Sequence, residues 1–191
     1  MQEILHNPLE LPDDLPVPVD DGAARHLAGL ALPDVALAAT DGSAVNLSRL
    51  SGRTVVYVYP RTGRPGQAMP TGWNAIPGAR GCTPQSCSFR DHFKELRALG
   101  VARVYGLSTQ DGDYQREAVV RLHLPFAILS DADFALQRAL RLPTFTVDGM
   151  VLLKRMALVI DDGVITKAFY PVFPPDRNAA DVIAWLQAAP R

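Results

Sequence analysis

The stretch GRTVVYVYP, residues 52–60, constrains the fold more than any other part of the chain. From Val55 to Tyr59 it is β-branched and aromatic with no polar break, the pattern of a strand covered on both faces. Pro60 ends it, because proline has no N–H to give to a ladder. A strand of this kind needs neighbours on both edges and a layer above and below. The rest of the chain supplies them. Upstream, LPDVALAATDGSAVNLSRL sets a TDGS turn between two short alternating runs and predicts a β-hairpin. Downstream, PQSCSFRDHFKELRALG carries Phe89, Phe93, Leu96 and Leu99 near helical spacing, with Gly100 as a stop. VARVYGLST then reads as a strand, DYQREAVVRLHL as a helix, PFAILSD as a short strand and DADFALQRALRL as a helix. MVLLKRMALVIDDGVITKAFYPVF shows two strand-like runs around the turn DDG, and NAADVIAWLQAA closes the chain as a helix. Strands alternating with helices predict one sheet with helices on both faces.

A length of 191 residues suits one domain with an appendage. Residues 1–28 hold four prolines and few periodic apolar positions, and read as an extended arm with a short helix at GAARHLAGL. The domain proper is then 29–191. Within it, residues 61–81 carry five glycines and three prolines and form a loop. Loops of this length inside compact domains are uncommon and often functional. Net charge is −1 with no block of like charges, so the basic stripe of a nucleic-acid binder is absent. No apolar run approaches the roughly 18 residues of a membrane span. The acidic, Pro-rich start lacks the basic-then-apolar layout of a leader. The expectation is a cytoplasmic protein with no membrane or nucleic-acid partner, where a stable structural disulfide is not anticipated.

Both cysteines lie in GCTPQSCSFRDHF, at 82 and 87. A zinc site takes four ligands, with about two to four residues between paired cysteines. Here His6, His26, His92 and His123 offer no matching pair, so no metal is expected. A structural staple is disfavoured by compartment and size. Two inert buried cysteines and a redox couple both remain open. Thr83-Pro84 reads as a helix start, with Thr83 as N-cap and Pro84 first in the helix. Cys82 would then be the last residue before the helix, beside N–H groups that carry about half a positive charge and favour a thiolate. Arg80 and Arg90 are near it in sequence. On a regular helix five residues rise about 7.5 Å and turn about 140°. That puts the two Cα atoms about 8–9 Å apart, beyond the disulfide limit of about 7 Å. A bond between them would require the helix start to unwind.

Other residues read as structural. TGRPG at 62–66 lacks the Lys-Ser/Thr ending of a phosphate loop. Asp131 and Asp133 open a helix and read as caps. Met150 and Met156 read as core, and Trp73 either packs the loop, covers a site or marks a partner surface.

The segment GCTPQSCSFRDHFKELRALGV resembles the active-site segment of the peroxiredoxins of the bacterioferritin-comigratory or Q type. The shared pattern is Gly-Cys-Thr, two residues, a small residue, Cys, an apolar residue and Arg-Asp. The similarity continues through YGLST, PFAILSDAD and KRMALVIDDGVI, over about residues 30–188. It implies a thioredoxin-like α/β fold: a central mixed β-sheet flanked by helices on both faces, with an N-terminal β-hairpin. It implies that Cys82 is the peroxidatic thiol, attacking a peroxide oxygen to form a sulfenic acid, and that Cys87 resolves this into an intramolecular disulfide. Thioredoxin or a similar dithiol protein would reduce the bond. Arg155, in LLKRMALVID, matches the family arginine that polarises the peroxide and stabilises the thiolate. Its plainer reading is a strand arginine reaching the surface. The family also has a Pro and a Thr seven and three residues before the peroxidatic Cys, where this chain has Ala75 and Ala79. Pro60 and Thr62 are the counterparts implied, displaced by an insertion over residues 63–80, with Pro77 as a second candidate for the proline. Thr62 would hydrogen-bond the peroxide, or else is a turn residue.

These readings add up to a thiol peroxidase for hydrogen peroxide and organic hydroperoxides. It needs no metal or organic cofactor, and the expectation is a monomer with a dimer as the alternative, since a pair within one chain requires no second copy. Two alternatives stand beside it. One is a thioredoxin-fold disulfide oxidoreductase or redox sensor. The other is a non-catalytic redoxin-like binding module whose inserted loop serves a partner.

Overall fold

The computed structural model describes residues 10–188, so His6 lies outside the described residues. In chain order the elements are β1 (Ala36–Ala39), β2 (Ala44–Asn46), β3 (Arg53–Val58), α1 (Cys82–Asp91), α2 (Phe93–Ala98), β4 (Val101–Ser108) and α3 (Gly112–Leu122). They continue with β5 (Ile128–Ser130), α4 (Ala135–Leu140), β6 (Thr144–Val147), β7 (Met150–Leu153), β8 (Met156–Asp161), β9 (Val164–Phe169) and α5 (Asn178–Ala188). One seven-stranded sheet runs in the order β2-β1-β5-β4-β3-β8-β9. The strand expected to be central, β3, pairs parallel with β4 and antiparallel with β8. The predicted β1–β2 hairpin forms one end of the sheet.

Alternation along β3 sorts the core into two layers. Val55 and Tyr57 face Phe89 of α1, Leu96 of α2 and Ala179, Val182 and Ile183 of α5. Val56 and Val58 face the other way, towards Leu136 and Leu140 of α4 and Leu27 of the N-terminal segment. Each such side chain, fully buried, contributes about 1.5–3 kcal/mol, so these two layers hold the sheet. Tyr57 stacks on Phe89 at 4.6 Å between ring centroids and donates its hydroxyl to Ser86 Oγ at 3.2 Å. Those two contacts seat α1 on β3.

Three local expectations are corrected. GAARHLAGL forms turns closed by i→i+3 bonds, such as Leu27 N–H to the Ala24 carbonyl at 3.1 Å, and not a helix. The segment lies between Gly22 and Gly29, both at positive φ, and is too short to repay helix nucleation. Second, MVLLKR… yields three strands. β7 pairs with β6 in a separate hairpin turned on Asp148 and Gly149, at φ +47° and +74°. The Asp-Gly dipeptide between alternating runs in TFTVDGMVLL is the sequence signal for that turn. Third, α1 starts earlier than Thr83-Pro84 suggests: its N-cap is Gly81, at φ +106°. Cys82, Thr83 and Pro84 fill the first three helical positions, where backbone N–H groups have no intrahelical acceptor and proline costs no bond. Gly81 has no alternative here, since a Cβ would stand 2.2 Å from Pro175 Cγ.

Among the described residues no helix is long and apolar enough to cross a membrane, and no three His, Cys, Asp or Glu side chains gather as metal ligands.

Candidate active site

Cys82 opens α1 and is 4% exposed. Arg155, 3% exposed, comes from the break between β7 and β8 and reaches the same place. Its Nη2 donates to Cys82 Sγ at 3.3 Å, to the Ala79 carbonyl at 3.0 Å and to the Arg80 carbonyl at 3.1 Å. Its Nε donates to the Gly78 carbonyl at 3.2 Å, and Nη1 donates to Gln85 Oε1. Gln85 in turn donates through Nε2 to Asn178 Oδ1 at 2.9 Å. Arg155 is therefore the clamp of the turn that launches α1. Among the described residues no carboxylate is a hydrogen-bond partner of Arg155. A buried guanidinium without a counter-ion is costly, and among the described residues the one hydrogen-bond partner of Arg155 able to carry a negative charge is the Cys82 sulfur. The Cys82 thiol also points at the Ala79 carbonyl, 3.6 Å away.

Cys87 lies further along the same unbroken helix, 8% exposed, and both thiols are free. Burial pushes the Cys87 thiol up from its ordinary range, with Arg90 opposing and Asp91 adding to the rise. On an intact helix their Cα atoms stand about 8–9 Å apart, so the pair cannot bond in this conformation.

Thr62 is elsewhere. Its N–H and hydroxyl both donate to Gln110 Oε1, at 3.0 and 3.2 Å, and Gln110 Nε2 donates to the Thr62 carbonyl at 3.3 Å. None of these three hydrogen bonds goes to Cys82, so in the structure the Thr62 hydroxyl is engaged by Gln110. Gln110, just past β4, offers a complete amide partner and captures it. Pro60 is buried directly after β3, while Pro77 is exposed. Three residues before Cys82, fully buried Ala79 contributes a carbonyl where a threonine would add a hydroxyl.

The Redoxin family matches residues 27–183 of this chain. The chain belongs to the redoxin family. It is 31% identical over 165 residues to chloroplastic peroxiredoxin Q of Oryza sativa subsp. japonica, covering 84% of this chain and 66% of that protein. This redoxin thus spans just under two thirds of the length of the rice protein. It is 28% identical over 188 residues to chloroplastic peroxiredoxin Q of Gentiana triflora, covering 93% and 77%. Among solved structures it is similar to peroxidoxin BcpB from Mycobacterium tuberculosis, with a TM-score of 0.68 and 24% identity over 86% of this chain and 98% of that one. It is also similar to Xanthomonas campestris peroxiredoxin Q, with a TM-score of 0.65 and 23% identity over 84% and 97%. The fold is the thioredoxin-like fold of these peroxiredoxins, and the relatives are of the Q type.

The insertion in this redoxin is docked. Trp73 sits in a short 3-10 turn, Trp73–Ala75, and is buried with Ala79, Val147 and Leu152, its ring 6.1 Å from that of Phe145. The Thr71 N–H donates to Asp148 Oδ2 at 2.9 Å. Of the three readings of Trp73, loop packing against the β6–β7 hairpin is what the structure shows. The capping reading also holds for Asp131, which accepts from the N–H groups of Leu136 and Gln137 at 2.9 and 2.8 Å.

Residue-by-residue reasoning missed Gln85, Asn178 and the carbonyls of residues 78–80. Gln85 had a signal, being a long amide in the first turn behind Cys82. Asn178 had none, because only the folded α5 brings it to that helix.

Proposed function

We propose that this redoxin is a thiol peroxidase. The observation that carries the reading is the buried Arg155 guanidinium with Cys82 as its one anion-capable partner among the described residues. The Cys82 thiolate attacks one peroxide oxygen and the O–O bond breaks. The leaving oxygen takes a proton and departs as water or an alcohol, and Cys82 becomes a sulfenic acid. Arg155 meets the charge that develops on the oxygens. With a methyl at Ala79, the N–H groups of Cys82 and Thr83 at the helix start, which lack intrahelical acceptors, are the remaining donors for the peroxide. Cys87 then displaces water from the sulfenic acid to form the Cys82–Cys87 disulfide, and a thioredoxin-like dithiol reduces it. Both electrons come from thiols, so the cycle draws on no metal or organic cofactor. A reducing compartment such as the cytoplasm supplies the reductant, and the couple within one chain requires no second copy. Hydrogen peroxide and organic hydroperoxides both fit the chemistry.

The position of Thr62 on Gln110 keeps a second reading, a disulfide oxidoreductase using the same pair. Peroxide consumption by the reduced protein separates the two. Wild type and Cys87→Ser should each consume an equivalent of peroxide quickly, and Cys82→Ser none. Equal consumption by all three would end the peroxidase reading. Reduction of model disulfides far faster than of peroxides would establish the second.

A further inference from the structure

The passage from sulfenic acid to disulfide asks for movement at one place, the first turn of α1. Arg155 holds that turn from the sheet side, and Pro175 closes over Gly81. The third restraint is the N-terminal arm. Leu11 reaches Gly81, where a Cβ would lie 3.0 Å from Leu11 Cδ2. Arg80 Nη2 donates to the Glu10 carbonyl at 3.1 Å. Leu15 and Pro16 line a narrow gap opposite Gly78 and Arg155, and Pro18 sits 3.6 Å from where a Gly78 Cβ would be. The arm thus touches or faces Gly78, Arg80 and Gly81, in the turn that must give way for Cys82 to reach Cys87.

The arm itself is lightly held. Residues 10–21 contain no helix or strand, and Val17 and Val19 are 63% and 82% exposed. Beneath them a cavity of about 360 Å³ opens towards Phe145 and Val172, so this part of the arm bridges space that it does not fill. Its far end is fastened at the surface by Asp21, which accepts from Lys154 Nζ at 2.7 Å and from the Tyr170 hydroxyl at 2.8 Å. A segment with few buried contacts that lies on a helix start is the part of a fold that opens first.

We propose that residues 10–19 are a strap over the launch of α1. Strapped, Cys82 stays beside Arg155 and disulfide closure is slow. Unstrapped, residues 81–85 unwind and the sulfenic acid meets Cys87. The strap therefore sets how long the sulfenic acid waits. A waiting sulfenic acid can react with a second peroxide, giving a sulfinic acid and water or an alcohol. The inference rests on the peroxidase reading for its consequence, though not for the opening itself.

Amide hydrogen exchange on the reduced protein, with and without residues 1–19, tests the opening without any peroxide. The amides of Gln85, Ser86 and Cys87, which close the first turn, should exchange at least tenfold faster in the shortened chain, with β3 and β4 unchanged. Full-length Leu11→Ala should speed the same amides by a smaller factor, which covers the case in which truncation loosens the whole fold. Unchanged protection of these amides in both variants overturns the strap. After one equivalent of peroxide, thiol trapping should show disulfide appearing several-fold faster in the shortened chain, with less sulfinic acid at excess peroxide. Faster amide opening with an unaltered disulfide rate also overturns the strap. If no sulfenic acid or disulfide forms in any chain, the peroxidase reading fails, while amide exchange still decides whether the arm restrains the helix.

Discussion

Arg155 spends all three of its nitrogens on the turn before α1 and on the residues that begin it. A lysine would keep the charge but lose the planar fork, so Arg155→Lys is not conservative here. The variant should lower the second-order rate of peroxide consumption about 100-fold or more, the loss typical of removing one donor from a developing oxyanion. Stopped-flow oxidation of the reduced protein measures it, and a rate within threefold of wild type would remove Arg155 from the chemistry. At this scale the legible residues were those with a local signature. Two thiols five positions apart at a helix start can be found by inspection, and Arg155 by its motif. The partner of Thr62 could not be read from the sequence, because it is a glutamine 48 residues away. Gln85 and Asn178 meet across 93 residues, a pairing that no spacing rule anticipates.

Helix α1 and the inserted loop share Gly81 as a joint. Gly81→Ala combines a left-handed backbone with a Cβ placed 2.2 Å from Pro175 Cγ. Together these should cost at least about 2 kcal/mol. Urea unfolding should show the lowered midpoint, and peroxide consumption should fall with it because Cys82 is the next residue. The loop is anchored by Trp73, whose replacement by alanine in a packed cluster costs about 3–5 kcal/mol. Trp73→Ala should make residues 63–80 the first site of proteolytic cutting and should slow peroxide consumption, since Ala79 and Arg80 supply carbonyls to Arg155. Uncut loops and unchanged activity would show that the docking is dispensable. The elements were legible where one periodicity ran uninterrupted, as in β3, β4 and α3. The start of α1 was misplaced because Thr83-Pro84 is a valid opening by local rules, yet Pro175 and a left-handed Gly81 set the cap two residues earlier.

At the scale of the whole molecule, burial favours the neutral forms of three acids, Cys87, Tyr57 and Tyr59, and this sets its response to base. Burial pushes Cys87 above its ordinary 9.0, and Tyr57 and Tyr59 above 10.0. In each case the unfolded chain releases the proton at a lower pH than the folded one. Between those two values the unfolded state binds fewer protons, so stability falls as pH rises. The protein should hold a constant urea midpoint up to about pH 9 and lose stability steadily above it. Tyr57→Phe, which removes one of the titrating groups, should flatten that decline. A midpoint unchanged from pH 7 to 11 would contradict the burial of all three groups. The sheet and its two layers were readable because alternation in β3 demands cover on both faces. The arm was read only as a surface appendage, since nothing in four prolines and a few leucines says which surface they cross.

Burial of α1 from Cys82 through Phe89 also sorts molecules by size. With both sulfurs almost inaccessible, the oxidant of the proposed cycle must be small to enter the reduced protein. The protein dithiol of the proposed cycle is large and would meet the disulfide only after the helix has come apart. In that proposed cycle the same stretch of backbone would work as a sieve that admits the two reactants in turn, and it would keep the reductant from being consumed by a site that has nothing to give it.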